Sequence, residues 1–348
     1  MKLILLADLH LGGTMYRTDE NGVNRYEVAG YKALKENLKI ILEEKPDLLI
    51  IAGDIFDKPN PSVYAINKYK WFVRKLYEAE IPVMVIIGNH DFNFANRKNE
   101  CSAPGLVPVQ YFADYEIKSI EIDDTLFVMM PYIYDTDNNI KAYMEQVEEE
   151  AKKSDKKKKI LVTHGIVDKY LMINDKMVEK YIHLSDELVN LFNVVVIGHI
   201  HTPFDFMIKD TLVLSPGGLI DYQADCDRTG PVIMDTADFT FNRRLVKTPH
   251  IIKCDCDETN INEVLKNVTN DIYKITYTGD SSVIDNDLFI QARDKVINIT
   301  IDATPQEEIV SATTKISDSM PTIYEYVKKD YPEHYNSFDV AREEKANL

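Results

Sequence analysis

The stretch Leu48-Leu49-Ile50-Ile51-Ala52-Gly53-Asp54-Ile55-Phe56-Asp57 constrains the fold more than any other part of the chain. Leu48 to Ala52 is a short unbroken apolar run, which reads as a strand buried on both faces. It ends abruptly in a glycine and then a carboxylate. Glycine lets the backbone turn sharply and leaves room beside it. Asp54 is therefore expected at the carboxyl end of a central strand, where α/β proteins place their chemistry. For a single Gly-Asp pair, an aspartate that merely caps a strand-to-helix turn is the simpler reading. That reading gives way here because the same arrangement recurs four more times.

Lys2 to Ala7 reads as a strand running into Asp8-Leu9-His10. Leu34, Leu38, Ile41 and Leu42 recur at helical spacing, so about 29–45 is expected to be an amphipathic helix stopped by Pro46. Strand 47–52 follows. Pro59 and Pro61 are expected to open a second helix with Ile66, Tyr69, Val73, Leu76 and Tyr77 on one face. Pro82 to Ile87 is a third strand, ending in Gly88-Asn89-His90-Asp91. This β-α-β-α-β order is the pattern of a parallel sheet.

The style then changes. Residues 115–121 and 124–130 read as a hairpin across Asp123-Asp124, followed by a charged helix over 136–152. Ile160 to Thr163 is a strand ending in His164-Gly165, and Val194 to Ile197 is another, ending in Gly198-His199-Ile200-His201. Short strands at about 204–209, 211–214, 231–236 and 241–247 are expected to build a second, more antiparallel sheet packed on the first. Beyond His250 the order is strand 249–254, helix 260–269, strand 271–278, helix 286–296 and strand 297–301. The polar tail from about residue 305 has one apolar cluster: Ile316, Met320, Ile323, Tyr324 and Val327. The expected organisation is thus a large domain over 1–248, a small α+β module over 249–304 and a tail over 305–348.

Five strand ends carry polar clusters: Asp8/His10, Asp54/Asp57, Asn89/His90/Asp91, His164, and His199/His201. A histidine satisfied inside a core is the ordinary reading for any one of them. The chain has only 8 histidines, however, and five at the same edge of a sheet is not a chance distribution. The set offers mixed oxygen and nitrogen ligands without thiolates, which suits Mn²⁺, Fe²⁺ or Zn²⁺ better than Mg²⁺ or Ca²⁺. There are enough ligands for two ions. A carboxylate can bridge ions roughly 3.5–4 Å apart, the geometry of phosphoryl chemistry.

In this order, Asp8-Leu9-His10, Gly53-Asp54-Ile55-Phe56-Asp57, Gly88-Asn89-His90-Asp91, Thr163-His164-Gly165 and Gly198-His199-Ile200-His201 resemble the motifs of the calcineurin-like metallophosphoesterase superfamily over about residues 1–235. The resemblance implies an α/β fold: a two-sheet metallophosphoesterase sandwich flanked by helices. It implies that Asp8, His10, Asp54 and His201 hold one metal. Asp54, Asn89, His164 and His199 then hold the other, with Asp54 as the bridge and the ions most often Mn²⁺. His90 is expected to face the substrate phosphate. Asp57 and Asp91 are expected just behind the ligands or on the substrate side. Within the superfamily the chain is most similar to the SbcD nuclease, to its relatives in the MRN repair complex and to the T-even phage recombination nuclease. There the small module resembles a DNA-capping domain. The helical tail resembles the segment that docks on an SMC-like ATPase, called SbcC in bacteria, in a complex that also allows a homodimer. Ser215-Pro216-Gly217-Gly218 matches the family's glycine-proline loop only in part and carries no basic residue.

Composition narrows the function. With 57 acidic against 40 basic residues the formal charge is −17, which argues against a chain that coats nucleic acid by itself. Bound divalent ions and a partner can still supply positive charge locally. The one basic run, Lys152, Lys153 and Lys156 to Lys159, reads as a solvated loop before a strand rather than a phosphate-tracking patch. Cys101, Cys226, Cys254 and Cys256 lack framework spacing and are expected as reduced thiols. Cys254-Asp255-Cys256 reads as incidental strand residues. No apolar run spans a bilayer and no charged-then-apolar signal opens the chain, so a cytoplasmic place is expected. No Gly-Lys pair provides a nucleotide loop. The leading expectation is a Mn²⁺-dependent DNA exonuclease and endonuclease subunit. A phosphodiesterase or phosphoprotein phosphatase on the same fold is the alternative, and a silent scaffold the third, opposed by the full ligand set.

Overall fold

The computed structural model describes residues 1–15, 18, 22–92, 102–133, 137–165, 185–220 and 229–304. The tail over 305–348, with the apolar cluster at Ile316 to Val327, lies outside the described residues, as do Cys101 and Cys226. Residues 1–304 form one compact unit.

The first sheet is built on the three runs expected to be buried strands: β1 (Lys2–Leu6), β2 (Leu48–Ala52) and β3 (Val83–Ile86). They pair in parallel and are joined by β4 (Tyr111–Ala113), a strand too short to show a period in the sequence. Between them run α1 (Arg25–Glu44) and α2 (Val63–Glu78). α1 begins at residue 25, four residues before the apolar spacing, because the Asn24 side chain accepts from the Glu27 amide at 3.0 Å. Lys45, at φ +49°, closes it ahead of Pro46. The α2 cap is Ser62, whose hydroxyl accepts from the Ala65 amide at 3.1 Å, so Pro59 and Pro61 lie in the loop before the helix. Its buried face carries Ala65, Tyr69, Phe72, Val73 and Leu76. Helical spacing puts Tyr77 on that face, but it is 72% exposed, because Phe72 and Leu76 already fill the arc.

The second sheet runs β5 (Lys118–Ile122), β6 (Thr125–Met130), β7 (Lys158–His164), β8 (Val194–Gly198), β10 (Thr211–Ser215) and β9 (Phe204–Ile208). It is mixed, with parallel β6-β7-β8-β10 at its centre and an antiparallel strand at each edge. Asp123 supports the β5-β6 turn at φ +51°. Of the strands expected in this sheet, two belong elsewhere. β11 (Val232–Asp235) and β12 (Phe241–Arg243) extend the first sheet antiparallel to β1. The physical reason is burial on both sides: Val232 and Met234 face the space between the sheets, and Ile233 faces the helices. A strand of that kind needs a neighbour in the interior of a sheet.

Strand alternation sorts the core into layers. Leu3, Leu5, Leu48, Ile50 and Met84 meet Phe127, Ile160, Val162, Val194 and Val196 between the sheets. Ile4, Leu49, Ile51 and Val85 pack under α1 and α2. On the far side Val128, Leu161 and Val195 pack under α3 (Asp137–Lys153) and the single turn α4 (Asp186–Val189).

The final three strands, β13 (Ile251–Asp257), β14 (Ile272–Thr278) and β15 (Asn298–Thr304), form a separate parallel sheet crossed by α5 (Ile261–Lys266) and α6 (Asn286–Lys295). One face, with Cys256, Tyr273, Ile275, Tyr277 and Ile299, is covered by the helices. Cys254 and Cys256 are free thiols on that packed face. The module leans on the large domain through Ile251, Ile272 and Ile297, and Arg25 donates to the Val296 carbonyl at 3.0 Å. The basic run is locally neutralised: Lys152 pairs with Glu148, Lys153 with Glu150 and Lys158 with Asp124.

The two sheets meet backbone to backbone where β2 and β8 end. A Cβ at Gly198 would lie 1.8 Å from the Ala52 carbonyl oxygen. Gly198→Ala must therefore push the strand ends apart. We expect it to destabilise the protein by about 3 kcal/mol or more, at the upper end of overpacking costs. A urea midpoint within error of the parent would contradict this packing.

Candidate metal centre

The pinch between the sheets gathers five loops. The first two are laced together by continuing the β1-β2 pairing: Asp8 N–H donates to Gly53 O, His10 N–H to Asp54 O and Leu11 N–H to Ile55 O, each at 3.0 Å. This lacing holds Asp8 at φ +51°, His10 at φ +43° and Asp54 at φ +51°, and His199 stands at φ +95°. Left-handed backbone at non-glycine residues costs of order 1–3 kcal/mol each and gathers at functional sites. Gly53, at φ +88°, has no choice of side chain, since a Cβ there would lie 2.3 Å from His164 Nδ1. The space beside this glycine is thus filled by the His164 ring.

The histidines are aimed through their distal hydrogen bonds. His164 Nδ1 lies 2.9 Å from the Ala52 carbonyl, so it carries the proton and turns Nε2 toward Asp54. His90 Nδ1 likewise lies 2.7 Å from the Asp57 carbonyl. His199 offers its backbone N–H to both Asp8 oxygens, at 2.9 and 3.0 Å.

Atoms that could hold a metal ion converge in three groups, each within 4.8 Å: Asp8, His10 and His201; Asp54, His164 and His199; and His10, Asp57 and His90. Asp54 stands between the first two. Its Oδ2 is 3.5 Å from His10 Nε2 and 3.4 Å from His164 Nε2, and it accepts no hydrogen bond although fully buried. Its Oδ1 accepts the His90 N–H at 2.8 Å. His10 Nε2 and His201 Nε2 face one another at 2.9 Å. Asn89 Oδ1 is 3.0 Å from His164 Nε2 and 2.7 Å from His199 Nδ1. A buried carboxylate oxygen with unspent lone pairs, ringed by imidazole nitrogens, is a donor set that fits divalent cations.

Asp57 and Asp91 occupy different places. Asp57 Oδ1 is 3.6 Å from His10 Nδ1, on the outer side of that ring. Asp91 lies beneath the site, fully buried. It accepts the Ile55, Phe56 and Gly88 amides, all at 3.0 Å, and so ties the second loop to the third.

Electrostatics follow from this crowding. Burial opposes protonation of His164, but the Asp54 carboxylate overcomes it and lifts its pKa to about 9. Burial and the neighbouring His164 charge push His199 down to about 4. Burial and His10 push His201 down to about 3. Burial raises Asp8 to about 6 and, helped by the Asp54 charge, Asp91 to about 7. Asp54 itself is held below the usual carboxylate range: burial raises it, and the histidines, His164 foremost, more than compensate. A cation entering beside His164 must therefore displace a proton at neutral pH, so uptake there strengthens as pH rises toward about 9.

Arg243 carries a task that sequence reasoning missed. Its guanidinium donates to the carbonyls of Ser215, Pro216 and Gly230 from β12, which stiffens the 215–218 loop from outside. That loop in turn donates through Gly218 N–H to His201 O at 2.9 Å, and Leu219 N–H donates to Asp8 O at 3.1 Å. An arginine in a short edge strand carries no signal of this kind. Only the unpaired carbonyls of a Pro-Gly-Gly loop hint that a donor is required.

Residues 1–203 match the calcineurin-like phosphoesterase family. Over 100 residues the chain is 36% identical to the DNA double-strand break repair protein Mre11 of Methanococcus maripaludis, a stretch that is 29% of this chain and 26% of that protein. Among solved structures, a Thermus thermophilus protein is similar over 71% of this chain and 99% of its own, with 13% identity and a TM-score of 0.44. A dimetal phosphatase from Danio rerio is similar over 67% and 91%, with 10% identity and a TM-score of 0.45. The matched family spans more than half of the chain and all five loops of the site, and the chain belongs to it: this is a calcineurin-like phosphoesterase, a metal-dependent phosphoester hydrolase.

Proposed function

We propose that the chain is the nuclease subunit of a DNA-processing complex, a Mn²⁺-dependent exonuclease and endonuclease. The observation that carries this reading is the 36% identity to a DNA double-strand break repair protein over 100 residues. In this reading Asp8, His10, Asp54 and His201 hold one ion and Asp54, Asn89, His164 and His199 the other. Support for Asp54 as the bridge is the position of Oδ2, 3.5 Å from His10 Nε2 and 3.4 Å from His164 Nε2. The bound ions supply Lewis acidity to the phosphate oxygens and ease ionisation of an attacking water near neutral pH.

The chain's own residues do the rest. Asp91 and the laced backbone fix the ligand loops, so no reorganisation is needed when the phosphodiester arrives. His90 commits Nδ1 to the Asp57 carbonyl, which leaves Nε2 to meet the substrate. There it hydrogen-bonds a nonbridging oxygen or the leaving oxygen. The module over 249–304 is the DNA-capping element, and the tail over 305–348 docks on an SMC-like ATPase that supplies most of the DNA grip. A homodimer within that complex and a cytoplasmic setting complete the reading. No helix among the described residues is long and apolar enough to cross a membrane.

The substrate assignment is tested by incubating the chain with Mn²⁺ and linear duplex DNA, beside a chromogenic phosphodiester. We expect both to be hydrolysed, and DNA cleavage to stop with chelator. Hydrolysis of the chromogenic ester with intact DNA, in the presence of the ATPase as well as without it, would refute the nuclease reading.

His90→Asn tests the division of labour. Loss of one donor to developing charge costs about 10²–10³-fold in rate. The variant is expected to keep its metal and near-normal DNA affinity while single-turnover cleavage falls by about that factor. Weakened metal binding with normal turnover at saturating Mn²⁺ would make His90 a positioning residue instead.

A further inference from the structure

α1 and α2 do not close on one another at their outer faces. Between them lies a groove of about 520 Å³, within the ~300–1,000 Å³ range of ligand sites, lined by Tyr31, Leu34, Lys35, Tyr64, Lys68 and Trp71. Three of these are aromatic, and Tyr64 is 56% exposed. Tyr31 and Tyr64 meet edge to face with centroids 5.3 Å apart. The Lys68 ammonium stands 4.9 Å from the Tyr64 centroid and 5.5 Å from that of Tyr31, held at the groove by cation–π attraction. The Tyr31 hydroxyl donates to Glu27 at 2.8 Å.

Charge says what the groove fits. The chain carries −17 overall, yet the charged residues lining this groove are two lysines and no carboxylate. α2 holds Lys68, Lys70, Arg74 and Lys75 against Glu78 alone. An apolar partner needs no ammonium groups, and a second copy of the groove facing this one would set lysine against lysine. A ligand with flat aromatic faces and a negative backbone matches both features.

We propose that the α1-α2 groove is a stacking platform for an unpaired DNA strand. Tyr64 and Trp71 stack bases, and Lys35 and Lys68 neutralise the phosphates between them. The proposal deepens the nuclease reading and rests on it for the identity of the strand. It assigns a task to the exposed area of Tyr64.

Trp71 is the chain's 1 tryptophan, so its fluorescence reports on this groove alone. Titration with oligothymidylate in chelator, where no cleavage occurs, is expected to quench it in a saturable, salt-sensitive manner. Tyr64→Ala removes an exposed side chain and should weaken that binding by about 10-fold or more, in line with ~1–3 kcal/mol for one base stack. Lys68→Ala should weaken it and reduce its salt dependence. Both variants should hydrolyse a chromogenic phosphodiester with Mn²⁺ at the parent rate, because neither residue reaches the ligands. Absent quenching, or affinity unchanged in Tyr64→Ala, overturns the platform even when the parent cleaves DNA. A dimer seen by sedimentation in the parent and lost in Tyr64→Ala overturns it in favour of self-association. Saturable quenching in a chain that leaves DNA uncut with and without the ATPase would keep the platform and refute the nuclease reading instead.

Discussion

Everything in the site depends on one close contact between the sheets, at the ends of β2 and β8. His164 donates through Nδ1 to the Ala52 carbonyl at 2.9 Å, across the boundary between the sheets. Gly198 comes against the same carbonyl, where a Cβ would lie 1.8 Å away. A sandwich of ordinary spacing keeps its sheets about 10 Å apart, with side chains between. Here backbone meets backbone at one end, so the loops of both sheets open toward the same small volume.

That geometry sets the energetics of the centre. Buried carboxylates and imidazoles are costly unless paired. Asp8 is paired through the His199 amide, and Asp91 through three amides. Asp54 Oδ2 is left without a hydrogen bond. The strained backbone at Asp8, His10, Asp54 and His199 is a second unfavourable contribution in the same place. Both fit a centre that takes a divalent cation: rigidity comes from neighbouring loops, and Asp54 Oδ2 keeps its lone pairs uncommitted. The acidic chain is then no obstacle to binding a phosphoester, since divalent ions held here would supply positive charge locally.

The ligand loops are legible in the sequence because each motif couples a strand, a sharp turn and a polar side chain within five residues, as in Gly53 to Asp57. The parallel half of the first sheet follows from the fully apolar runs at Leu48 and Val83. Long-range placement is not legible. Val232 to Asp235 looks like any short apolar strand, and only its packing partners on both faces assign it to the first sheet beside β1. The role of Asp91 as a tie beneath the loops depends on three amides from two segments, which no local pattern encodes. Tyr77 shows the limit of periodicity, since spacing alone cannot tell which of two neighbours, Leu76 or Tyr77, takes the last buried place. Arg243 acts on a loop 28 residues earlier in the chain, so it too is visible only in three dimensions.

The central claim is that Asp54 joins two cation sites into one centre. Electron paramagnetic resonance of the full chain loaded with two equivalents of Mn²⁺ tests it most directly, because ions bridged at roughly 3.5–4 Å are magnetically coupled. The account predicts a spin-coupled pair in the parent chain and its loss in Asp54→Ala. Uncoupled signals from isolated ions, or saturation at a single ion per chain, would contradict it.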